Sequence, residues 1–597
     1  MSTDLDPSKP TLAARLFGPW VRELDRATLR ADLLAGLLGA VLVLPQAIAF
    51  ATLAGLPPQM GLATAVLPCA LAALFGSSRH LMSGPSNAIS LALAATLAPL
   101  ALAGSPEYIE LAIAVTLLVG LLQTLIGVFG LGSIANFISP AALMGFTTGA
   151  ALLIVVHALP DLLGLPAHGA SALLAALPGF RWGPLAVAAA TLVGVLATRR
   201  WRPRWPSMLI GLALGTLCAT ALRLWQPALG EAIARVGPVP PPWPIWHWPQ
   251  LDAARLRDLA GIVLALTLVA SAQSIAMAKT VALRSGQRID VNRELFGQGL
   301  SNLVGGVTSA YLSGGSVNRS LPNYEAGART PMASVFSALL LLLLTIVSAP
   351  LLAAIPLAAI SALLVLVAIS LLDLERWQRL ARIERADFIT AAVTAIATLS
   401  LRLEIAILLG SLLSLGSHLH RTSRPAMRTM GFDSDDAKRP FVVLDEAPAG
   451  ALPECPQLKL LRMEGAVYFA AVPHVGDTLQ ALREGSSPQL HLLVMAKSMN
   501  TIDLPAAEMW AQELAARRAA GGDLYFHRPR PPVMQLWRST GFLDALGADH
   551  VFADKHSAIA AIVPRLDDAT CAACTRRIFA ECAGRPRNPT QGGELEA

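Results

Sequence analysis

Charge is what this chain has least of. Only 14% of its 597 residues are Asp, Glu, Lys or Arg, against 54% hydrophobic. That is too little charge to cover a soluble surface of this size, so an ordinary soluble globule is excluded and a bilayer is implied. Cysteine is scarce as well: six thiols over this length make no disulfide framework, and Cys69 and Cys218 lie inside apolar segments as packing residues. The first 30 residues lack the early apolar stretch of a signal peptide and carry Arg15, Arg22, Arg26 and Arg30 instead, so no cleaved signal is expected. A basic face is also missing. The formal net charge is +6, but Lys and Arg are scattered between apolar segments, which argues against a nucleic-acid partner and reads as membrane topology. The apolar segments hold no nucleophile–base pair and no metal motif, so neither an enzyme nor a cofactor is expected.

Apolar runs, in contrast, are abundant. Those near 20 residues are long enough to cross about 30 Å of hydrocarbon as helix. They fall at 31–54, 61–76, 85–103, 107–130, 136–159, 183–199 and 206–223, and again at 258–280, 294–311, 316–331, 333–350, 354–373, 386–401 and 403–420. Orientation follows from the cations retained on the cytoplasmic side. With the N-terminus inside, the inner loops hold Arg79, Arg199 to Arg204, Lys279 to Arg293 and Arg376 to Arg385; the outer loops hold Arg181, Arg223, Arg235, Arg255, Arg257 and Arg402. Both termini are therefore expected in the cytoplasm, in an inner (plasma) membrane. Trp225, Trp243, Trp246 and Trp248 in the long outer loop read either as an interfacial aromatic layer or as packing.

Two segments are short or interrupted. One opens Ser83-Gly84-Pro85-Ser86-Asn87, the other Ser313-Gly314-Gly315-Ser316-Val317-Asn318-Arg319-Ser320, and they are third and tenth in the count. Matching broken helices in two sets of seven mark an inverted-repeat transporter with its site near the midplane; the plainer reading is close helix contact at Gly and Ser. Two helix N-termini that face each other make an anion site without a metal, because their N–H groups are unpaired and their dipoles point positive ends at the ligand. Ser86, Asn87, Asn318 and Ser320 can add donors, and Arg319 adds a full charge suited to sulfate or a carboxylate. The alternative for Arg319 is an ion pair with Glu325. Gln46 and Phe50 lie one helical turn apart after Pro45, where local unwinding is expected, and can wall the same site.

The runs Arg30 to Gly36, Val43 to Ala51, Gly55-Leu56-Pro57-Pro58, Gly61-Leu62 and Phe75 to Arg79 together resemble the SulP (sulfate permease) family. So do Asn292-Arg293-Glu294, Gly297-Gln298-Gly299, Asn302, Asn318-Arg319-Ser320 and Gly327 to Pro331, and the resemblance runs from about residue 28 to about 565. It implies an all-α polytopic membrane protein, fourteen transmembrane segments in seven-plus-seven inverted repeats, followed by a small α/β STAS-like cytoplasmic domain. It further implies a core moving against a gate, with the anion held by Gln46, Phe50, Ser86, Asn87, Asn318 and Arg319. One position departs. Where many bacterial relatives carry a glutamate for proton or sodium coupling, this chain reads Ala272-Gln273-Ser274, and a neutral amide neither titrates near pH 7 nor offers a cation a charge. An exchanger, a uniporter or coupling through Glu294 or Glu325 follows.

Residues 1–27 form a cytoplasmic segment, 28–425 the transporter domain, 440–565 the STAS-like domain and 566–597 a cysteine-containing tail. Strand-like 458–462, 490–495 and 524–526 alternate with helix-like 505–519. After Asp503 come Leu504 and Pro505 instead of the phosphorylatable Ser of soluble relatives, so a role in dimerisation, folding or regulation is expected, with a homodimer as the assembly. Cys571-Ala572-Ala573-Cys574 and Cys582 take zinc only if His556 or a partner chain completes the ligands; reduced thiols or a redox pair are equally open, and no metal site is assigned. The function expected is secondary transport of a small anion: sulfate first, bicarbonate or a dicarboxylate next. An anion channel and a nucleobase transporter of the same architecture are the alternatives.

Overall fold

The computed structural model describes residues 16–133, 139–165, 179–202, 205–231, 233–238, 240, 243–401, 403–433, 441–446, 451–485 and 488–587. The segment before residue 16, the start of the span at 136–159, Pro203, Arg204, Arg402 and the tail beyond 587 lie outside these. The chain divides into two compact units, Met1–Leu415 and Gly416–Ala597.

The main helices of the first unit are α1 (Arg26–Leu53), α2 (Pro58–Phe75), α3 (Asn87–Leu97), α4 (Pro106–Val128), α5 (Pro140–Leu163), α6 (Trp182–Trp201) and α7 (Ser207–Trp225). They continue with α8 (Ala253–Ser285), α9 (Val291–Val307), α10 (Val317–Glu325), α11 (Met332–Ala353), α12 (Leu357–Leu371), α13 (Arg385–Ser400) and α14 (Leu403–Thr422), the last running past Leu415; short helices at Pro227–Gly230 and Leu374–Ile383 lie between them. Among the described residues nine helical segments are long and apolar enough to cross a bilayer: α1, α2, α4 to α8, α11 and the run Leu357–Ile383 that contains α12. The remaining predicted segments coincide with α3, α9, α10, α13 and α14. Leu217, Leu343, Val347 and Ile396 stand exposed on these helices, as lipid-facing side chains do where no hydrophobic force drives them inward. Trp225, Trp243, Trp246 and Trp248 are exposed too, which removes packing as their explanation.

Two groups of helices form. Helices α1 to α4 pack with α8 to α11, and α5 to α7 pack with α12 and α13. Within the first group α4 and α9 are in backbone contact: a Cβ added to Gly120 would sit 2.3 Å from the Leu303 nitrogen, and one on Gly299 2.4 Å from that of Thr124. Small residues are what lets two helices approach so closely in a membrane. At the N-terminus of α1, Asp25 and Thr28 cap each other, the Thr28 N–H donating at 2.6 Å and the Asp25 N–H at 2.8 Å. The unwinding expected at Pro45 does not occur. Helix α1 runs unbroken through it: Pro45 is buried, and α1 packs along α2 and α11, neighbouring helices that hold a proline-containing helix in shape.

The second unit is a mostly parallel sheet in the order β4-β3-β5-β6-β8-β9, with β7 beside β5. Its strands are β3 (Ala426–Phe432), β4 (Phe441–Val443), β5 (Leu458–Val467), β6 (His491–Met495), β7 (Met499–Ile502), β8 (Asp523–His527) and β9 (Val551–Phe552). Alternate residues of β6 go to opposite faces. Leu492 and Val494 pack under α15 (Val472–Glu484), α16 (Leu504–Ala519) and α17 (Pro531–Ser539), whereas Leu493 and Met495 pack with α18 (Lys555–Ile562). Both faces are thereby buried, which is why His491–Met495 is an unbroken buried run. The second face is completed by Leu566, Ile578 and Phe579, so the segment after α18 belongs to this core.

Candidate anion site

The two interrupted segments fold alike. Ser83–Gly84 (β1) and Gly314–Gly315 (β2) are extended and pair antiparallel, Ser83 opposite Gly315 and Gly84 opposite Gly314, and each leads into a short helix, α3 or α10. Sequence reading finds the two interruptions but not this pairing, since two-residue strands carry no periodic signal. Ser86 and Ser316 are the N-caps, both buried, and neither side chain caps its helix. Buried helix starts without side-chain caps leave N–H groups and the positive end of the dipole available to an anion.

Arg319 stands in the first turn of α10 and is 1% exposed. Its Nη2 donates to the Pro85 carbonyl at 2.9 Å, while Nε and Nη1 have no hydrogen-bond partner. Its carboxylate alternative is excluded by geometry: Glu325 is exposed and pairs with Arg284 at 3.5 Å. Gly84 is fitted to the guanidinium. Its φ is +143°, and a Cβ there would lie 2.7 Å from Nη1, so both backbone and space require glycine.

Gln273, on α8, joins the two halves. Its Nε2 donates to the Ser86 hydroxyl at 3.2 Å and to the Gly315 carbonyl at 3.3 Å; the carbonyl partner fixes which end of the amide is the donor. Next to it, the Ser274 hydroxyl accepts the Gly315 N–H at 3.0 Å. Further braces come from residues to which the sequence alone gave no role. Gln298 donates to the Ser83 hydroxyl at 2.6 Å, and Asn302 accepts the Ser313 N–H at 2.7 Å and donates to the Ser313 carbonyl at 3.1 Å. Ser320, expected as a donor to the anion, is a brace as well: its hydroxyl accepts the Met82 N–H at 2.8 Å. The available signal was uncharged amides inside apolar spans, where an unsatisfied polar group is costly.

The remaining predicted residues divide. Asn87 is buried, its Oδ1 accepts the Ala88 N–H at 2.9 Å, and its Nδ2 has no partner. Gln46 and Phe50 are buried on α1, which packs against both α3 and α10; the Gln46 amide faces the Met208 sulfur at 3.7 Å, and its Oε1 is unpartnered. Asn318 is exposed, unlike its neighbour Arg319. Ser320 spends its hydroxyl proton on the Ser316 carbonyl at 2.6 Å and is a brace of α10. Glu294 is buried and accepts the Ser77 and Ser78 N–H groups at 2.9 Å each and Gln298 at 3.1 Å.

A family model described as the sulfate permease family matches residues 29–394. A probable sulfate transporter of Mycobacterium tuberculosis is 30% identical over 562 residues, covering 92% of this chain and 99% of the relative. The chain belongs to the sulfate permease family. Probable sulfate transporter 4.2 of Arabidopsis thaliana is 28% identical over 88% of this chain and 80% of its own length. In fold, this sulfate permease family member is similar to the murine Solute Carrier 26 family member A9 anion transporter, with a TM-score of 0.81 at 20% identity over 94% of this chain and 96% of that one. The transmembrane domain of a cyanobacterium bicarbonate transporter, BicA, superposes with a TM-score of 0.56 at 24% identity, over 66% of this chain and 99% of that domain. The mostly helical membrane fold with a small α/β domain is the one expected from the sequence.

Proposed function

We propose that this multi-pass membrane protein carries sulfate, or a similarly small oxyanion, across the inner membrane by alternating access, with both termini cytoplasmic. Anion transport is the activity of the family; sulfate is the substrate named for the Mycobacterium and Arabidopsis relatives. The observation that carries the reading is the buried guanidinium of Arg319, with two of its three nitrogens unpartnered beside the uncapped starts of α3 and α10. A buried charge is retained at such cost where a ligand of opposite sign completes it. Ser86 and Asn87 stand as further donors, with Gln46 and Phe50 on the adjoining helix; the neutral Gln273 favours exchange or uniport over coupling at that position. The movement implied is of the α1–α4 and α8–α11 group against the α5–α7 and α12–α13 group, with the α/β domain as a contact in a homodimer.

Uptake of radiolabelled sulfate into proteoliposomes, with and without a trapped counter-anion, tests this. Saturable uptake that accelerates with a trans anion, and that falls at least tenfold in Arg319→Ala, is expected, since a charged hydrogen bond contributes about 1.5–3 kcal/mol. Uptake that neither saturates nor responds to the trans anion identifies a channel instead.

A further inference from the structure

Four of the six cysteines meet at one cavity in the second unit. Cys455, just before β5, and Cys571, Cys574 and Cys582, in the segment after α18, all line a space of about 20 Å³. The sequence offered only the last three and left a fourth ligand to His556 or another chain; the fold brings Cys455 to them, and His556 does not line the cavity. The segment carrying the three thiols is firmly docked. Gln457 and Asp567 exchange hydrogen bonds at 2.8 and 3.1 Å, Arg585 pairs with Asp568 at 2.8 Å, and the Phe579 ring meets Phe432 at 5.9 Å.

Hydrogen-bond donors stand around the sulfurs. The Gln457 side chain donates to the Cys571 sulfur at 3.4 Å. The Cys455 sulfur is faced by the backbone N–H groups of Gln457 and Leu458, and the Cys582 sulfur by that of Phe579. Arg576, Arg577 and Arg585 line the same cavity, so cations surround a set of four groups that carry negative charge when deprotonated. All four thiols are free.

The structure assigns to this cavity a four-cysteine centre for a soft metal, with Cys455, Cys571, Cys574 and Cys582 binding as thiolates to an iron–sulfur cluster or a zinc ion. Four sulfur ligands select those two occupants over harder metals. Their spacing bears on which. A zinc ion holds each thiolate at about 2.3 Å, whereas among the described residues no three His, Cys, Asp or Glu groups stand close enough to enclose one ion, and the space between the thiols admits a water-sized sphere. Thiols that stand farther apart than one ion needs suit a polynuclear cluster, around which the water-sized space must widen; zinc requires the thiols to draw in. Either occupant displaces the four thiol protons to solvent, with no change in the oxidation state of the cysteines.

The full-length protein, purified in detergent without chelator and under anaerobic conditions, is analysed for zinc, iron and acid-labile sulfide. About one zinc, or iron with matching sulfide and visible charge-transfer absorbance, is expected per chain. The content should drop to below about a tenth in Cys455→Ser and Cys574→Ser and persist in Cys218→Ser, which lies in α7. A second measurement needs no variant: in the native protein the four thiols should resist alkylation until the metal is stripped. Metal-free protein, a Cys571–Cys574 disulfide, ready alkylation before stripping, or full metal retention in Cys455→Ser overturns the assignment.

Discussion

Gln273 donates to the Ser86 hydroxyl at 3.2 Å and to the Gly315 carbonyl at 3.3 Å, so one side chain of α8 ties the start of α3 to the strand that leads into α10. The Gly315 carbonyl needs a donor, whereas the Ser86 hydroxyl can turn and donate instead. A carboxylate at this position has no proton to give near neutral pH and sets a negative charge against the Gly315 carbonyl. Gln273→Glu is therefore expected to lower sulfate uptake at pH 7, by about 1–3 kcal/mol or roughly 5- to 150-fold. Acidification returns the missing proton, so uptake by the variant should recover between about pH 7 and 5 while the parent stays flat. Uptake in proteoliposomes across that range checks it; steep proton-driven uptake by the parent would contradict the neutral-amide reading.

Gly84 is the second sensitive point. With φ at +143° and a Cβ position 2.7 Å from the Arg319 Nη1, Gly84→Ala must both strain the backbone by about 1–3 kcal/mol and push the guanidinium aside. A raised KM for sulfate, beyond what the loss of thermal stability accounts for, is expected from the displaced guanidinium. Equal losses of stability and uptake would mean that the strand pair, and not the anion contact, was damaged.

These two residues show where the sequence was informative. Broken helices were visible at Ser83–Asn87 and Ser313–Ser320 because Gly and Ser interrupt apolar runs, and Arg319 was visible because a lone cation at membrane depth is conspicuous. The strand pairing of Ser83 with Gly315 was not, because contacts between distant segments leave no local periodicity. For the same reason Gln298 and Asn302 were recognisable only as motif letters, and their grip on Ser83 and Ser313 emerges once α9 is placed. Pro45 misled in the other direction: local chemistry suggested unwinding, and the packing around α1 overrode it. In the second unit the alternation of strands and helices was readable at β5, β6 and β8, which hold short apolar runs; β3, with Arg428 and Thr429 in its middle, gave no such signal. Cys455 was not readable as a partner of Cys574, because nothing local links them.

Glu294 gives a stability prediction. Its carboxylate accepts two backbone N–H groups, from Ser77 and Ser78, and the Gln298 amide, holding the turn after α2 against α9. Glu294→Ala strands buried donors, at about 1–3 kcal/mol each. A clear fall in the detergent melting temperature is expected, with Glu294→Gln intermediate because one oxygen remains to accept. If instead Glu294→Gln melts normally yet abolishes uptake, Glu294 serves ion coupling, the alternative its acidity allows.

The last prediction concerns acid. Asp549 accepts hydrogen bonds from Arg565, at 2.6 Å, and from the His550 ring, at 2.8 Å. The Arg565 guanidinium first, and His550 second, hold the Asp549 carboxyl down at about 2 from an ordinary 3.8. A carboxyl whose folded pKa is depressed contributes stability that is fully present above its unfolded value and is lost as pH falls through the folded one. The window is thus from about pH 4 down to pH 2. The other His550 ring nitrogen, Nε2, lies 2.8 Å from Asp523, and the ring stacks on Tyr525, so loosening should appear first around β8 and β9. Amide hydrogen exchange of these two strands should speed up across that window in the native chain. In Asp549→Asn exchange should already be faster at pH 6 and change less on acidification, because the group whose protonation drives the loss is gone.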